Sequence, residues 1–490
     1  MTFLSEGHRT MELKNKRVLV VGLGKSGMAA ALFLREQGAR VTVSDSRSAI
    51  TLTNEIPALL DAGIMVEAGG HGLLTFRRQD LIVVSPGVPF DTPELKQVRA
   101  YGKDGPPIIG ELELASRFLQ GNVLAITGSN GKTTTTSLLG KIFADAGGPT
   151  LVGGNIGTPV IELVAESIRL TSDQRQEQDA GILHSAQNDK RELWSVLEVS
   201  SFQLETVAEF HPRIAVVLNI TPDHLDRHGT FETYAAMKAR ITERQGPEDF
   251  LLLNAEDKPT QMVAAKTKAQ VFWFSGRRPI KQGAFVHGES ILFVPREGAQ
   301  AEPVMPVAEI PLRGAHNVEN VLAAVCAARL AGIPAESIRA SVASFRAVEH
   351  RLEYVDSVRG VAFYNDSKAT NVDATRKALE AFPGGVHLIL GGKDKNSDYT
   401  ELSDLLRARV KTVATIGSAA EKIERQLAGV VKIVSAGTLE VAVRRLAHDA
   451  EPGDVVLLAP ACSSFDQFDS YEHRGRVFKD LVKQLVAVSS

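Results

Sequence analysis

The chain has 490 residues, 44% apolar and 23% charged, with a net charge of -3; that length exceeds one hydrophobic core and suggests about three domains. The balanced charge gives no whole-chain reason to bind nucleic acid or membrane, and no apolar run reaches the length of a bilayer span. Cys326 and Cys462 stand far apart with no metal-ligand spacing, and the polar start MTFLSEGHRTMELKNK lacks a signal core, so a reducing, cytoplasmic setting is expected.

In chain order, Arg17 to Val21 reads as a short buried strand, followed by Gly22, Gly24 and Gly27 in GLGKSG. A helix to Gln37 and a second strand, Arg40 to Val43, end at Asp45. This is a βαβ opening with glycines for the turn and an acidic residue after the second strand, the pattern of a nucleotide-binding domain. The strand Leu81–Val84 runs into Ser85-Pro86-Gly87-Val88-Pro89, a rigid loop at the sheet's carboxyl edge. This first domain is expected over residues 1–110.

A central domain is expected over 111–347. Its strand from Val123 to Thr127 opens into Gly128-Ser129-Asn130-Gly131-Lys132-Thr133-Thr134 and a helix to Ala144. Glycines there let backbone N–H groups turn inward on an anion, and a helix N-terminus favours phosphate. Lys132 supplies a mobile positive charge and Thr133 a hydroxyl for magnesium. The strict phosphate-loop pattern needs glycine where Ile126 stands, so it is not met. Gly153 to Gly157 reads as a second glycine-rich turn. The polar stretch at about 167–192, including His184, reads as an exposed insertion without helical periodicity.

Strand Trp194–Val199 places Glu198 near its end, as a magnesium ligand or a salt-bridged strand terminus. After strand Ile214–Leu218, the loop holding Asp223, His224, Asp226, Arg227 and His228 offers either a zinc site of unfamiliar spacing or a hard-cation site. Helix Phe231–Arg244 carries Tyr234 and Lys238 one turn apart; a helical lysine is by default a solvated charge. Asn317 and Asn320 open a helix to Leu330 and can cap it or meet an adenine edge. Beyond residue 348, alternating strands and helices imply a second mostly parallel sheet, whose loops gather lysines and hydroxyls suited to a small anionic substrate.

GSNGKTTTT, LEVSSFQLE, NITPDHLDRH, GAHNVENVLAA, EHRLE, YNDSKATN and PACSSFDQF, in that order, resemble the Mur ligases of peptidoglycan synthesis. DSKATN and ACSSFDQF are similar to the branch that adds D-glutamate to UDP-N-acetylmuramoyl-L-alanine. The resemblance implies an α/β fold of three domains: Rossmann-like, central P-loop-type ATPase, and C-terminal Rossmann-like over 348–490. It implies a monomeric ligase that uses ATP and Mg2+, proceeds through an acyl phosphate, and needs neither nucleic acid nor membrane. Gly128 to Thr134 would then hold the ATP phosphates, with Asn317, Asn320, Arg351 and Asp366 on the rest of ATP. Thr133 and Glu198 would share one magnesium and His224 the second, with Lys238 carbamylated as a further ligand. Lys132, Lys238, His224 and Arg351 would be catalytic.

By the same resemblance Lys25, Ser26, Asp45, Ser46, Arg47 and Gly72 hold the uridine diphosphate end, with Asn155 and His224 toward the muramoyl end. Thr370, Lys395, Ser464, Phe465 and Tyr471 match D-glutamate positions; Lys393 leaves the lysine of GGKDK open. Three alternatives stand beside this: a related Mur or folylpolyglutamate-synthase-like ligase for another amino acid, an NAD(P)-dependent dehydrogenase using GLGKSG, and a non-catalytic ATP-binding switch.

Overall fold

The computed structural model describes residues 11–179, 192–346 and 349–489. The first ten residues, His184 and the expected boundary at 347/348 lie outside the described residues.

Three sheets follow one another along the chain. The first contains β1 (Arg17–Val21), β2 (Arg40–Asp45), β3 (Met65–Ala68), β4 (Leu81–Val84) and β5 (Ile108–Gly110), in the order β3-β2-β1-β4-β5 and parallel throughout. β1 and β4 are continuous apolar runs, buried except at Arg17, as parallel strands covered on both faces require. Strand order reverses beside β1, so a crevice opens at its carboxyl end.

The central sheet has nine strands: β6 (Asn122–Thr127), β7 (Thr150–Gly154), β8 (Trp194–Glu198), β9 (Ile214–Val217), β10 (Phe250–Asn254), β11 (Gln270–Ser275), β12 (Gly283–His287), β13 (Ser290–Val294) and β14 (Glu302–Pro306). Their order is β14-β13-β12-β11-β10-β9-β6-β8-β7, parallel from β7 to β12 and then antiparallel. Helices Lys132–Asp145 and Ala315–Leu330 bury Leu138, Ile142, Val321 and Val325 in one core cluster with β6, β8 and β9. β6 lies between β8 and β9, and the loops after all three open at the same edge.

Two expectations are corrected here. Gly153 and Gly154 belong to the edge strand β7, not to a turn. A Cβ on Gly154 would collide with the Glu198 carbonyl, so the glycine permits close approach to β8. Of the stretch expected at about 167–192 to be an insertion without helical order, the residues through 179 instead continue helix Val160–Asp179, and 180–191 lie outside the described residues. Arg169 pairs with Glu166 and Asp173 at helical spacing, at 2.5 Å and 2.9 Å. Such i,i+3 and i,i+4 ion pairs support a polar helical turn that apolar periodicity does not signal.

The third sheet contains β15 (Glu353–Val358), β16 (Val361–Asn365), β17 (Val386–Gly391), β18 (Val410–Ile416), β19 (Lys432–Gly437) and β20 (Val455–Leu458), in the order β15-β16-β20-β17-β18-β19. Only β15 is antiparallel to its neighbour. Loops after β16, β17 and β20 emerge together at the carboxyl edge and face the central sheet's loops. Asn130 Nδ2 donates to Asp373 at 2.6 Å and Asn371 Nδ2 to Asp223 at 3.0 Å across that junction. Among the described residues no helix is long and apolar enough to cross a membrane.

Candidate active site

The loop after β6 sets the geometry. Gly131 has φ +89°, and a Cβ there would strike the Asn320 amide, so only glycine fits. The loop after β9 braces it: the Ser129 N–H donates to the Asn219 carbonyl at 2.9 Å, and the Asn130 N–H to Asn219 Oδ1 at 2.9 Å. Ser129 Oγ donates to the Thr221 carbonyl at 2.8 Å and meets the Tyr234 hydroxyl at 2.9 Å. These contacts preorganise the turn before any anion arrives.

Three lysines and an arginine converge on this turn. Lys132 Nζ donates to the carbonyls of Gly128 at 2.7 Å and Ser129 at 3.0 Å. Lys238 Nζ, almost wholly buried, donates to the same Gly128 carbonyl at 2.8 Å and lies 4.7 Å from the Tyr234 ring centre. Lys238 is therefore no solvated surface charge, which overturns the default for a helical lysine. Lys368 Nζ and Arg351 Nη2 reach Thr133 Oγ1 from the third sheet, at 2.5 Å and 3.4 Å.

Two acids answer them. Thr133 Oγ1 donates to Glu198 Oε2 at 2.9 Å, and Asn155 Nδ2 to Glu198 Oε1 at 2.9 Å. Burial alone would raise the Glu198 carboxyl; the ammonium groups of Lys368 and Lys132 outweigh it and hold it below the usual carboxylate range. Asp223 is likewise held low against burial by Lys395 and His224, with Lys395 Nζ 3.7 Å away.

Burial also tunes the bases. It pushes Lys238 well below its ordinary value, with Lys132 adding repulsion. It lowers Lys368 to about 7 and the His224 imidazole to about 4, the latter against the pull of Asp223. It lifts Asp366 to about 6 although Arg351 opposes it. Groups shifted this far and packed this closely are a common mark of a working site.

Three cavities border the cluster. The first, between the central and third sheets, is lined by Asn130, Gly131, Thr134, Asn317, Asn320, Arg351, Asp366 and Lys368. Asn317 Nδ2 donates to the Arg313 carbonyl at 2.7 Å and Asn320 Nδ2 to Asn317 Oδ1 at 3.1 Å; neither side chain caps the helix. The second cavity gathers His224, Thr370, Lys393, Lys395, Ser464, Phe465 and Tyr471 from loops after β9, β16, β17 and β20 and the start of helix Tyr471–Ser489. The third lies on the crevice beside β1, lined by Lys25, Ser26, Asp45, Ser46, Arg47 and Asn155. There the Leu23 N–H donates to Asp45 Oδ2 at 2.6 Å, and Lys25 Nζ reaches across to the Gly157 carbonyl at 2.5 Å.

Not every expected residue joins. Gly72 precedes helix Leu73–Arg77 and is not among the third cavity's lining residues. The zinc alternative for the loop after β9 fails on geometry: His228 Nε2 faces Ser201 Oγ at 3.0 Å and Arg227 turns toward Glu205, while His224 and Asp226 line the second cavity, and among the described residues this loop brings no three such ligands together. Sequence reasoning overlooked Lys368, although it stands in the quoted YNDSKATN motif. It also overlooked Asp373, whose carboxylate accepts from Asn130 and from Thr221 at 3.3 Å. Alternating αβ patterning says nothing of which loop residue crosses to another sheet.

Comparison with known proteins agrees with this geometry. Residues 16–110 match the Mur ligase MurD-like N-terminal domain, 126–328 the Mur ligase middle domain, and 350–462 the Mur ligase glutamate ligase domain. A relative from Acidobacterium capsulatum, named UDP-N-acetylmuramoylalanine--D-glutamate ligase, is 65% identical over 472 residues, covering 96% of this chain and 97% of its own. One of the same name from Koribacter versatilis is 59% identical over 475 residues, covering 97% and 99%. Among solved structures, a pseudomurein peptide ligase type C from Methanothermus fervidus aligns with TM-score 0.57 at 18% identity, over 96% of this chain and 100% of that one. The MurF ligase from Thermotoga maritima in complex with ADP aligns with TM-score 0.55 at 17% identity, over 99% and 98%; at such identities the likeness concerns the fold. Domain by domain and across nearly its whole length, the chain belongs to the Mur ligase family.

Proposed function

We propose that this chain is the ATP-dependent ligase that joins D-glutamate to UDP-N-acetylmuramoylalanine in peptidoglycan precursor synthesis. One observation carries the proposal: Lys132, Lys368 and Arg351 gather with Glu198 and Asp223, and with the buried amine of Lys238, at a cluster that three cavities border. The relatives' names supply the amino acid and the acceptor. In this assignment the first domain, 1–110, takes the UDP end in the crevice beside β1. The central domain, 111–347, takes ATP with help from Arg351 and Asp366, and the last, 348–490, takes D-glutamate through Thr370, Lys395, Ser464, Phe465 and Tyr471. The protein works as a monomer in the cytoplasm, where UDP-linked precursors and ATP meet.

A carboxylate is a poor electrophile because its leaving group would be oxide. Its oxygen attacks the γ-phosphorus, the bond to the bridging oxygen breaks, and ADP leaves with that electron pair. The uncharged amine of D-glutamate then adds to the acyl carbon. Collapse expels inorganic phosphate, and the nitrogen releases a proton. Both stages build negative charge on oxygen, so preorganised cations are the expected catalyst. Lys132 and Lys368 flank the turn that holds the phosphates, and Arg351 reaches it from the third sheet. The neutral His224 imidazole stands at the amine's entrance.

The donor set fits magnesium. Thr133 Oγ1 and Glu198 Oε2 lie 2.9 Å apart, and Glu198 is held ionised; the neutral His224 offers a nitrogen. When bound, magnesium would neutralise phosphate charge. Lys238 fits a carbamate: its amine is buried and its pKa is pushed well below the ordinary value, which favours the neutral form that adds to carbon dioxide, and no carboxylate pairs with it among the described residues. The test is phosphate release from ATP with UDP-N-acetylmuramoylalanine and each of several amino acids. D-glutamate should support turnover; its failure, or preference for another amino acid, would overturn the assignment.

A further inference from the structure

Arg227 lies outside all three cavities, yet it holds two of the reacting regions together. It follows His224 by three residues and sits in the short helix Leu225–His228. Its guanidinium makes a fork toward the first domain: Nη1 donates to the Pro86 carbonyl at 3.1 Å and Nη2 to the Val88 carbonyl at 3.0 Å. Its other edge is held by Glu205, with Nε to Oε1 at 3.2 Å and Nη2 to Oε2 at 2.6 Å. Its plane lies over the Phe202 ring, 4.4 Å from the centre. Both partners of the ion pair are largely buried, with side chains 14% and 11% exposed. All three of its nitrogens are thus engaged in a fixed geometry, which a lysine cannot reproduce.

What it grips at each end matters. The Ser85–Val88 loop lines the crevice beside β1. That loop is in turn locked to the glycine turn after β1, since Ser85 Oγ donates to the Gly22 carbonyl at 2.7 Å. At the other end, Phe202 packs against the His224 ring at 4.9 Å and follows Glu198 along the same β8 loop. One side chain therefore joins the crevice wall to the loop that presents His224.

We infer that Arg227 is a positioning residue for the ligase reaction, fixing the distance between the groove that holds the UDP end of the substrate and the centre where its carboxylate reacts. The inference rests on the proposed function. A long substrate anchored at one end reacts at the other only if the two sites keep one separation. Near-attack geometry tolerates little error, and about 1 Å of misplacement costs on the order of 100-fold in rate. Arg227 touches neither reacting atom, so its loss should act on the chemical step and spare each site's own affinity.

The test compares wild type with Arg227→Met, which keeps the stem, Arg227→Lys, which keeps the charge, and Glu205→Gln, which loosens the fork without removing it. Phosphate release is measured with ATP, UDP-N-acetylmuramoylalanine and D-glutamate, alongside direct titration with UDP alone. The expected result is a kcat reduced about 30- to 100-fold in Arg227→Met, no better than partial recovery in Arg227→Lys, and a smaller loss in Glu205→Gln. The KM for ATP and the affinity for UDP should stay within about twofold of wild type. An unchanged kcat overturns the inference. So does a parallel loss of kcat, ATP affinity and UDP affinity, which marks a merely structural arginine. Should Arg227→Met fail to fold, Glu205→Gln decides by the same split. Absence of turnover in wild type with D-glutamate would instead sink the proposed function.

Discussion

Replacing Lys238 with methionine should make the protein more stable and nearly inactive. The side chain is 1% exposed, with one hydrogen bond to the Gly128 carbonyl and no acid partner among the described residues. Its proton affinity in the folded state lies well below the ordinary 10.5. Folding therefore expels a proton at pH values between the folded and unfolded pKa, so stability rises with pH across that window and the amine is a burden below it. Methionine has similar volume and carries no such burden. The Gly128 carbonyl keeps a donor, because Lys132 reaches it at 2.7 Å, so no buried acceptor is orphaned. In carbon-dioxide-depleted buffer at pH 7, Lys238→Met should gain about 1–3 kcal/mol. For a domain of this size that raises Tm by about 2–4 °C per kcal/mol. The gain should shrink as pH approaches the ordinary lysine range. Phosphate release should fall at least about 100-fold, because methionine has no amine to form a carbamate and so supplies no carbamate oxygen. Calorimetry at several pH values, with and without bicarbonate, reads the first effect; bicarbonate should shift the wild type alone. A variant less stable than wild type at pH 7, or one with full turnover, would refute the reasoning.

Much of this was legible in the residues. β1, β4 and β20 are uninterrupted apolar runs bounded by glycine or proline loops, and their positions follow from that pattern. The turn from Gly128 to Lys132 announces an anion site by composition alone. Short or edge strands were harder: β3 and β5 have four and three residues, and β7 hides its register behind two glycines, Gly153 close against the Thr158 carbonyl and Gly154 against that of Glu198. The helix through residue 179 was obscured because ion pairs, not an apolar stripe, support its polar turns. Within the site, residues that act along their own loop could be named from motifs. Lys368 and Asp373 act across the gap between sheets, where no local spacing encodes the partner. Burial was the other hidden quantity. Lys238 looks like any helical lysine until Tyr234 and the Gly128 carbonyl are seen around it.

Further expectations follow from the loop cations. Lys395 is tied to Asp223, whereas Lys393 lines the same cavity with no ion pair among the described residues. Lys393→Ala should therefore raise the KM for D-glutamate about 10-fold with little change in kcat, and Lys395→Ala should lower kcat as well; equal KM values for wild type and Lys393→Ala would remove Lys393 from amino-acid binding. The pH dependence of kcat/KM reports the free enzyme's groups. Lys368 titrates at about 7 and Asp366 at about 6. Loss of the Lys368 proton removes a charge from the phosphate-holding turn, so activity should fall on the alkaline side from near pH 7. Burial sets that limb, because desolvation penalises the ammonium and Arg351 adds repulsion. A guanidinium resists the same penalty, its ordinary pKa lying above about 12. Lys368→Arg, even at reduced rate, should therefore carry its alkaline limb to higher pH. Superimposable profiles for the two proteins would show that some other group sets the limb, and the assignment of Lys368 to phosphate stabilisation would fall with it.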